Sequence, residues 1–212
     1  DGFHDLIIGN WPFENTPVAD RRYNRLNPMV HDYFFLKALD QVRPGGLVVA
    51  ITSKGTMDKK NAGIRTEMAR KGELIAAFRL PSGAFGEYAG TAVVTDIIIL
   101  RKRVEPIGNP ALEPWIDSKE YMTPQGEPVF LNAYYHDNPT HVIGTIEYGH
   151  GTTSARPGMI VTRPSDMKEQ LARIVEAVPQ DAYKADTRAQ QISYVTNHTK
   201  DREGALTSTK DG

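Results

Sequence analysis

The chain has 212 residues, a formal net charge of −1 and 40% hydrophobic residues, which suits one globular domain or one domain with a small appendage. It contains no cysteine. That excludes disulfides, thiolate zinc sites and a cysteine nucleophile, and it fits a reducing, cytoplasmic setting. No apolar run approaches the ~18 residues a membrane span needs, and the first residues lack the basic and apolar regions of a signal peptide, so no membrane partner is expected.

Phe3 to Gly9 predicts a first strand. Its apolar run, Leu6 to Ile8, ends at a glycine, the pattern of a strand buried on both faces. Residues 10–27 read as a long loop of the kind that carries binding function. Within it Arg21, Arg22, Tyr23 and Arg25 interleave basic and aromatic groups, as a nucleic-acid contact would require. A solvated loop face is the competing reading. Asn27 and Pro28 predict an N-cap and a first helical position. The helix that follows carries Met29, Val30, Tyr33, Phe34, Leu36, Ala38, Leu39 and Val42 as its apolar stripe, with His31 facing solvent or a neighbouring loop.

Arg43-Pro44-Gly45-Gly46 is expected to stop that helix, and Leu47 to Thr52 to form a second buried strand. Ser53, Lys54, Gly55 and Thr56 then fall at the strand's end, where Lys54 could meet a phosphate. Met57 to Lys71 predicts one amphipathic helix ended by Gly72. Glu73 to Leu80 and Thr95 to Leu100 predict two more strands. The 14 residues between them are too few for a crossover helix with its turns, so these strands should pair antiparallel.

Residues 104–128 hold five prolines and read as a connector, pinned by Trp115 and Tyr121. Residues 129–180 read as a small α+β appendage. In it, Val142 to Tyr148 and Met159 to Arg163 are strand candidates, and a helix capped by Asp166 runs to Val178 with Met167, Leu171, Ile174, Val175 and Val178 as its stripe. His136, His141 and His150 are spaced too irregularly for a metal site and are expected at the surface. Residues 181–212 form a polar tail and a candidate for disorder. The sequon Asn197-His198-Thr199 lies in it. Charge is unevenly spread: residues 1–103 carry 15 Lys+Arg against 11 Asp+Glu, the remainder 10 against 15. The mildly basic front permits phosphate contact.

In open α/β sheets, ligands bind beyond the carboxyl ends of the strands, which places Asn10, Trp11, Pro12 and Phe13 where chemistry is expected. Methyl transfer to an exocyclic amine needs the nitrogen lone pair free of the ring, and acceptors on the two amine hydrogens favour that state. An Asn side-chain oxygen and an adjacent backbone carbonyl supply such a pair. A base flipped out of a duplex also needs an aromatic plate, which Phe13 offers.

Asn10-Trp11-Pro12-Phe13 resembles the Asn-Pro-Pro-Phe/Tyr motif of the adenine-N6 DNA methyltransferases, with Trp11 in place of the first proline. That departure keeps the backbone carbonyl, and Pro12 still restricts Trp11 to extended conformations. It removes the fixed φ at position 11 and adds an N–H and a large ring. The resemblance covers most of residues 1–103. It extends to Tyr23-Asn24-Arg25-Leu26-Asn27, His31-Asp32-Tyr33-Phe34-Phe35, Arg43-Pro44-Gly45-Gly46, Thr52-Ser53-Lys54-Gly55-Thr56-Met57-Asp58 and Arg79-Leu80-Pro81. As a set these are similar to the methylase part of helicase–methylase proteins of mobile elements and phages, linked to antirestriction or DNA modification.

The resemblance implies a partial doubly wound, Rossmann-like α/β sheet, mostly parallel with one antiparallel strand. It implies S-adenosylmethionine as methyl donor, double-stranded DNA as partner, and Asn10, Trp11, Pro12 and Phe13 as the catalytic corner. The glycine-rich strand–turn that holds the cofactor in this family precedes the Asn-Pro-Pro motif, and no Gly-x-Gly turn after a strand replaces it here. The chain therefore reads as the second half of such a domain, inactive alone and completed by an upstream segment or a partner chain. A non-catalytic methyltransferase-like module used for DNA or protein contact is the alternative. A dehydrogenase is disfavoured because no dinucleotide fingerprint is present.

Overall fold

A computed structural model describes residues 3–14, 16–84, 93–150 and 156–185. The sequon and most of the polar tail lie outside the described residues.

The apolar run near the N-terminus forms β1 (His4–Asn10), which lies parallel to β2 (Val42–Ser53) with Asn10 level with Ile51. β3 (Gly72–Leu80) and β4 (Thr95–Lys102) follow, and β4 runs antiparallel to both β3 and β2. The sheet order is β1-β2-β4-β3. Because β4 opposes both neighbours, the other three strands share one direction. The sheet is mostly parallel with one antiparallel strand, as expected.

On one face lie α1 (Val30–Gln41) and α3 (Gly63–Lys71). Phe35, Leu36 and Leu39 of α1, Met68 of α3, and Val48, Ala50, Ala77, Ile98 and Leu100 of the sheet make a continuous buried core. On the other face Ile174 of α5 (Met167–Ala177) packs with Ala76, Phe78, Leu80 and Ile99. Val175, placed on that helix's stripe by the sequence, points to solvent instead.

Residues beyond β4 are folded against this sheet. The hairpin β5 (Ser118–Met122)–β6 (Pro128–Asn132) docks on α2 (Gly55–Asp58), where the Asn132 side chain donates to the Met57 and Trp115 carbonyls at 2.7 and 2.9 Å. Buried Arg65 of α3 ties the same junction by donating to the carbonyls of Ile116, Thr56 and Lys59 at 2.7, 3.2 and 2.6 Å. The short helix α4 (Ala133–Asp137) leads to the hairpin β7 (Thr145–Gly149)–β8 (Gly158–Thr162). Under all of this sits Arg79, fully buried on β3. It forks onto Asp96 with two bonds of 2.9 Å, meets Asp58 at 2.8 Å, and lies over the Tyr135 ring.

Five sequence expectations are corrected. β1 is not buried on both faces. It is an edge strand, with Leu6 at 47% and Ile8 at 71% exposure, because among the described residues it pairs only with β2 and nothing covers its outer face. Asn27 does not cap α1. Its φ of 44° is left-handed and closes a 3₁₀ turn at Asn24–Leu26, while Pro28 and Met29 stay extended through the Val18 N–H to Pro28 carbonyl bond and the Pro17–Met29 bridge. Asparagine tolerates that conformation better than most residues. Of the two surroundings expected for His31, solvent is excluded and the neighbouring loop holds: His31 is buried, because α1 is rotated so that His31, Asp32 and Phe35 point inward, and its ring meets Lys59 just beyond α2. Arg43 to Gly46 belong to β2 itself, with a register shift opposite His4 to Leu6 that absorbs the Pro-Gly-Gly stretch. Finally, the single helix expected at Met57 to Lys71 is two helices, α2 and α3, and Gly72 is extended at the start of β3.

Candidate functional site

β1 and β2 deliver Asn10 and Ser53–Lys54 to the same edge of the sheet. The Trp11 N–H donates to the Ile51 carbonyl at 2.9 Å and extends the pairing by one residue. Pro12 has no N–H, and the ladder ends there. Asn10 is exposed at the tip, Pro12 is exposed, and Phe13 is half-buried.

The Trp11 ring folds back along its own strand. It stacks on Phe34 at 5.4 Å and meets Phe35 edge-on at 5.8 Å, both from α1. It also occupies the space above Gly9, where an added Cβ would fall 1.8 Å from ring atom Cζ3. So the indole is housed against α1, and its packing on Phe34 and Phe35 holds position 11. Gly9→Ala should therefore unseat Trp11 and lower stability by about 1–3 kcal/mol, the range for overpacking. A fall in melting temperature with a changed tryptophan fluorescence spectrum would show it, and an unaltered spectrum would refute the contact.

Behind this corner lies a polar cluster that joins two stretches the sequence reading named separately, His31-Asp32 and Thr52 to Thr56, and adds Lys59, which it did not name. Asp32 accepts from the Thr56 hydroxyl at 3.1 Å and from Lys59 Nζ at 2.9 Å, and Thr56 meets Thr52 at 3.1 Å. Lys59 Nζ also approaches His31 Nε2 at 3.4 Å. The two stretches are distant from each other in sequence, so no spacing motif joins them. The one available signal was a His-Asp pair in the first turn of an amphipathic helix. A cavity of about 460 Å³ opens beside the cluster, lined by Arg25, Met29, Asp32, Lys59 and Asn61 among others.

Burial pushes the His31 imidazole below the ordinary histidine value of 6.5, Asp32 opposes this, and Lys59 adds to it. His141 shifts the same way through burial. Both rings are thus neutral in the native state at neutral pH. Below pH 6.5 the unfolded chain takes up these protons before the native chain does, so stability falls as pH drops through that window. His31→Gln should flatten the fall. Urea unfolding at stepped pH values checks this, and an unchanged pH dependence in the variant would contradict it.

The other residues singled out from sequence separate in space. Arg21 and Arg25 are exposed, and Lys54 is half-buried just before α2. Arg22 pairs with Asp40 at 3.0 Å. Tyr23 is buried in the core, where its hydroxyl donates to Asp40, and burial holds its pKa well above the ordinary tyrosine value. As placed, its ring is not open to a nucleic acid. Among the described residues no group of three or more His, Asp or Glu side chains could hold a metal ion.

No protein-family profile matches the chain. Over 102 residues it is 35% identical to the Defense against restriction protein B of Escherichia phage P1, covering 46% of this chain and 4% of that protein. The chain thus spans a small fraction of the length of the curated relative it matches. Among solved structures, it is similar to a protein from Listeria monocytogenes assigned to the class I S-adenosylmethionine-dependent methyltransferases, with 17% identity, a TM-score of 0.40, and coverage of 51% of this chain and 36% of that one. It is also similar to the M protein of the type I restriction enzyme EcoKI, with 13% identity, a TM-score of 0.34, and coverage of 100% and 54%.

Proposed function

We propose that the chain supplies the target-base half of a DNA adenine-N6 methyltransferase, with S-adenosylmethionine as the methyl donor. The observation that carries this reading is the β1 tip: Asn10 stands exposed at a carboxyl strand end, Trp11 is anchored behind it on Phe34, and Phe13 follows half-open. In this reading the Asn10 side-chain oxygen and the Trp11 carbonyl accept the two amine hydrogens of a flipped adenine. That holds the nitrogen lone pair toward the methyl donor and stabilises the charge that develops on the nitrogen. Phe13 stacks on the base. Arg21, Arg25 and Lys54 contact phosphates of double-stranded DNA.

In this reading a cofactor-binding strand and helix would join the sheet at β1. The outer edge of β1 is open among the described residues, and Leu6 and Ile8 leave an uncovered apolar face beside it. A further strand with its helix would satisfy both. S-adenosylmethionine would then supply an electrophilic methyl group at the carboxyl edge of the completed sheet. The likeness to part of a phage defence-against-restriction protein supports a setting in DNA modification or antirestriction.

The test is transfer of labelled methyl from S-adenosylmethionine to duplex DNA by a protein that joins this chain to a cofactor-binding segment, with N6-methyladenine as the product sought. Absence of that product, with cofactor and DNA both bound, would sink the reading. The indole at position 11 favours a second reading, a methyltransferase-like module that contacts DNA or protein without catalysis. It predicts DNA binding with no methyl transfer.

A further inference from the structure

We propose that the cavity between β3, the 3₁₀ turn at Pro139–His141 and α5 is a binding site for a small aromatic carboxylate. The cavity has a volume of about 410 Å³, within the range of small-molecule pockets. It lies at the β3 edge, across the sheet from the Asn10 corner, and on the face opposite α1 and α3. It is independent of the methyl-transfer reading.

Its walls divide by chemistry. Phe78, Val142 and Ile174 give an apolar lining, and the His141 ring lies 4.5 Å from the Phe78 ring. Such a surface suits a flat, apolar body. The polar lining holds Arg173 and His141 but no carboxylate. Gln170, also in the wall, has its amide nitrogen held by Asp166 at 2.8 Å. Arg173 is exposed on α5 and has no acidic partner among the described residues. A guanidinium of this kind pairs best with a carboxylate, which it can grip with two parallel bonds.

His141 is held in the wall by β3. The Ala77 backbone N–H donates to the Tyr134 hydroxyl at 3.2 Å. That hydroxyl lies 2.9 Å from His141 Nδ1, and the Ala77 backbone also accepts from the imidazole. Further along, β3 bridges to Val142, and the Ile143 N–H donates to the Arg79 carbonyl at 2.8 Å. The ring is fixed without help from a ligand, and Arg173 is the group that meets the anion.

The test uses the 212-residue chain with 2-naphthoate as probe and 2-naphthamide as its uncharged control, followed by the NMR signals of the His141 ring. Millimolar naphthoate should move those signals. Arg173→Met, an exposed substitution, should weaken the binding about tenfold or more, the amide should bind as weakly to the parent chain as naphthoate does to that variant, and Ala177→Trp should block the cavity. Unmoved His141 signals, equal binding of acid and amide, or binding indifferent to both variants would each overturn the proposal.

Discussion

Arg79→Met is expected to lower the unfolding free energy by about 3–5 kcal/mol, the range for removing one partner of a buried ion pair. The guanidinium is fully buried and answers two carboxylates at once, Asp96 through two hydrogen bonds and Asp58 through an ion-pair contact of 2.8 Å. Burial pushes the Asp58 pKa upward against the pull of Arg79, while burial also disfavours the Arg79 cation but is outweighed by Asp58 and Asp96, which hold its pKa well above the ordinary value. Removing the cation leaves two acids in the core without the guanidinium that touches both, Asp58 keeping only the fields of Lys54 and Arg65. A second variant separates charge from packing. In Arg79→Met with Asp58→Asn and Asp96→Asn, the buried negative charge is gone, and part of the lost stability should return. Urea unfolding followed by circular dichroism measures both. A single-variant loss under about 1 kcal/mol, the scale of a surface pair, would mean that Arg79 is not the buried tie described here. The site also joins β3 and β4 to α2 and Tyr135, so its loss should loosen the docking of α4 on the sheet.

On the proposed reading, Asn10→Ala is expected to cut methyl transfer about a hundred- to a thousandfold in a protein that joins this chain to a cofactor-binding segment, the effect of deleting one preorganised group that stabilises developing charge. The residue is exposed at the end of an edge strand and makes no core contact. Its replacement should therefore leave the melting temperature within a degree or so of the parent, since surface changes away from special features stay within about 0.5 kcal/mol. Cofactor affinity should not move either, because the side chain would face the base and not the donor. Single-turnover transfer, measured beside the melting temperature and S-adenosylmethionine binding, separates these effects. Undiminished transfer would remove Asn10 from the chemistry. A loss matched by unfolding would make it structural.

Much of the architecture was legible in the residues. Leu6 to Ile8, Leu47 to Thr52, Glu73 to Leu80 and Thr95 to Leu100 each lie within an observed strand. The shortness of the link between the last two correctly implied their antiparallel pairing. These features are local: apolar runs and link length act within a few residues and need no knowledge of the rest. The position of Asn10 near a strand tip was legible for the same reason, because Pro12 lacks an N–H and ends the ladder wherever the strand sits, although Gly9, read as the strand's last residue, is paired within it.

What failed depended on partners far along the chain. An apolar run cannot say whether its strand lies inside or at the edge of a sheet, and Leu6 and Ile8 prove exposed because nothing covers them among the described residues. The rotation of α1 follows from Thr56 and Lys59, more than twenty positions away, which give Asp32 its bonds and draw His31 inward with it. Tyr23 looked like a surface aromatic among arginines until Asp40 supplied a buried acceptor. The Arg79 tie and the His141 cavity are likewise assembled from separate elements. Composition and periodicity determined which segments become strands and helices. Only tertiary packing decided which polar side chains find partners, and a polar group goes inside the protein only where such a partner meets it.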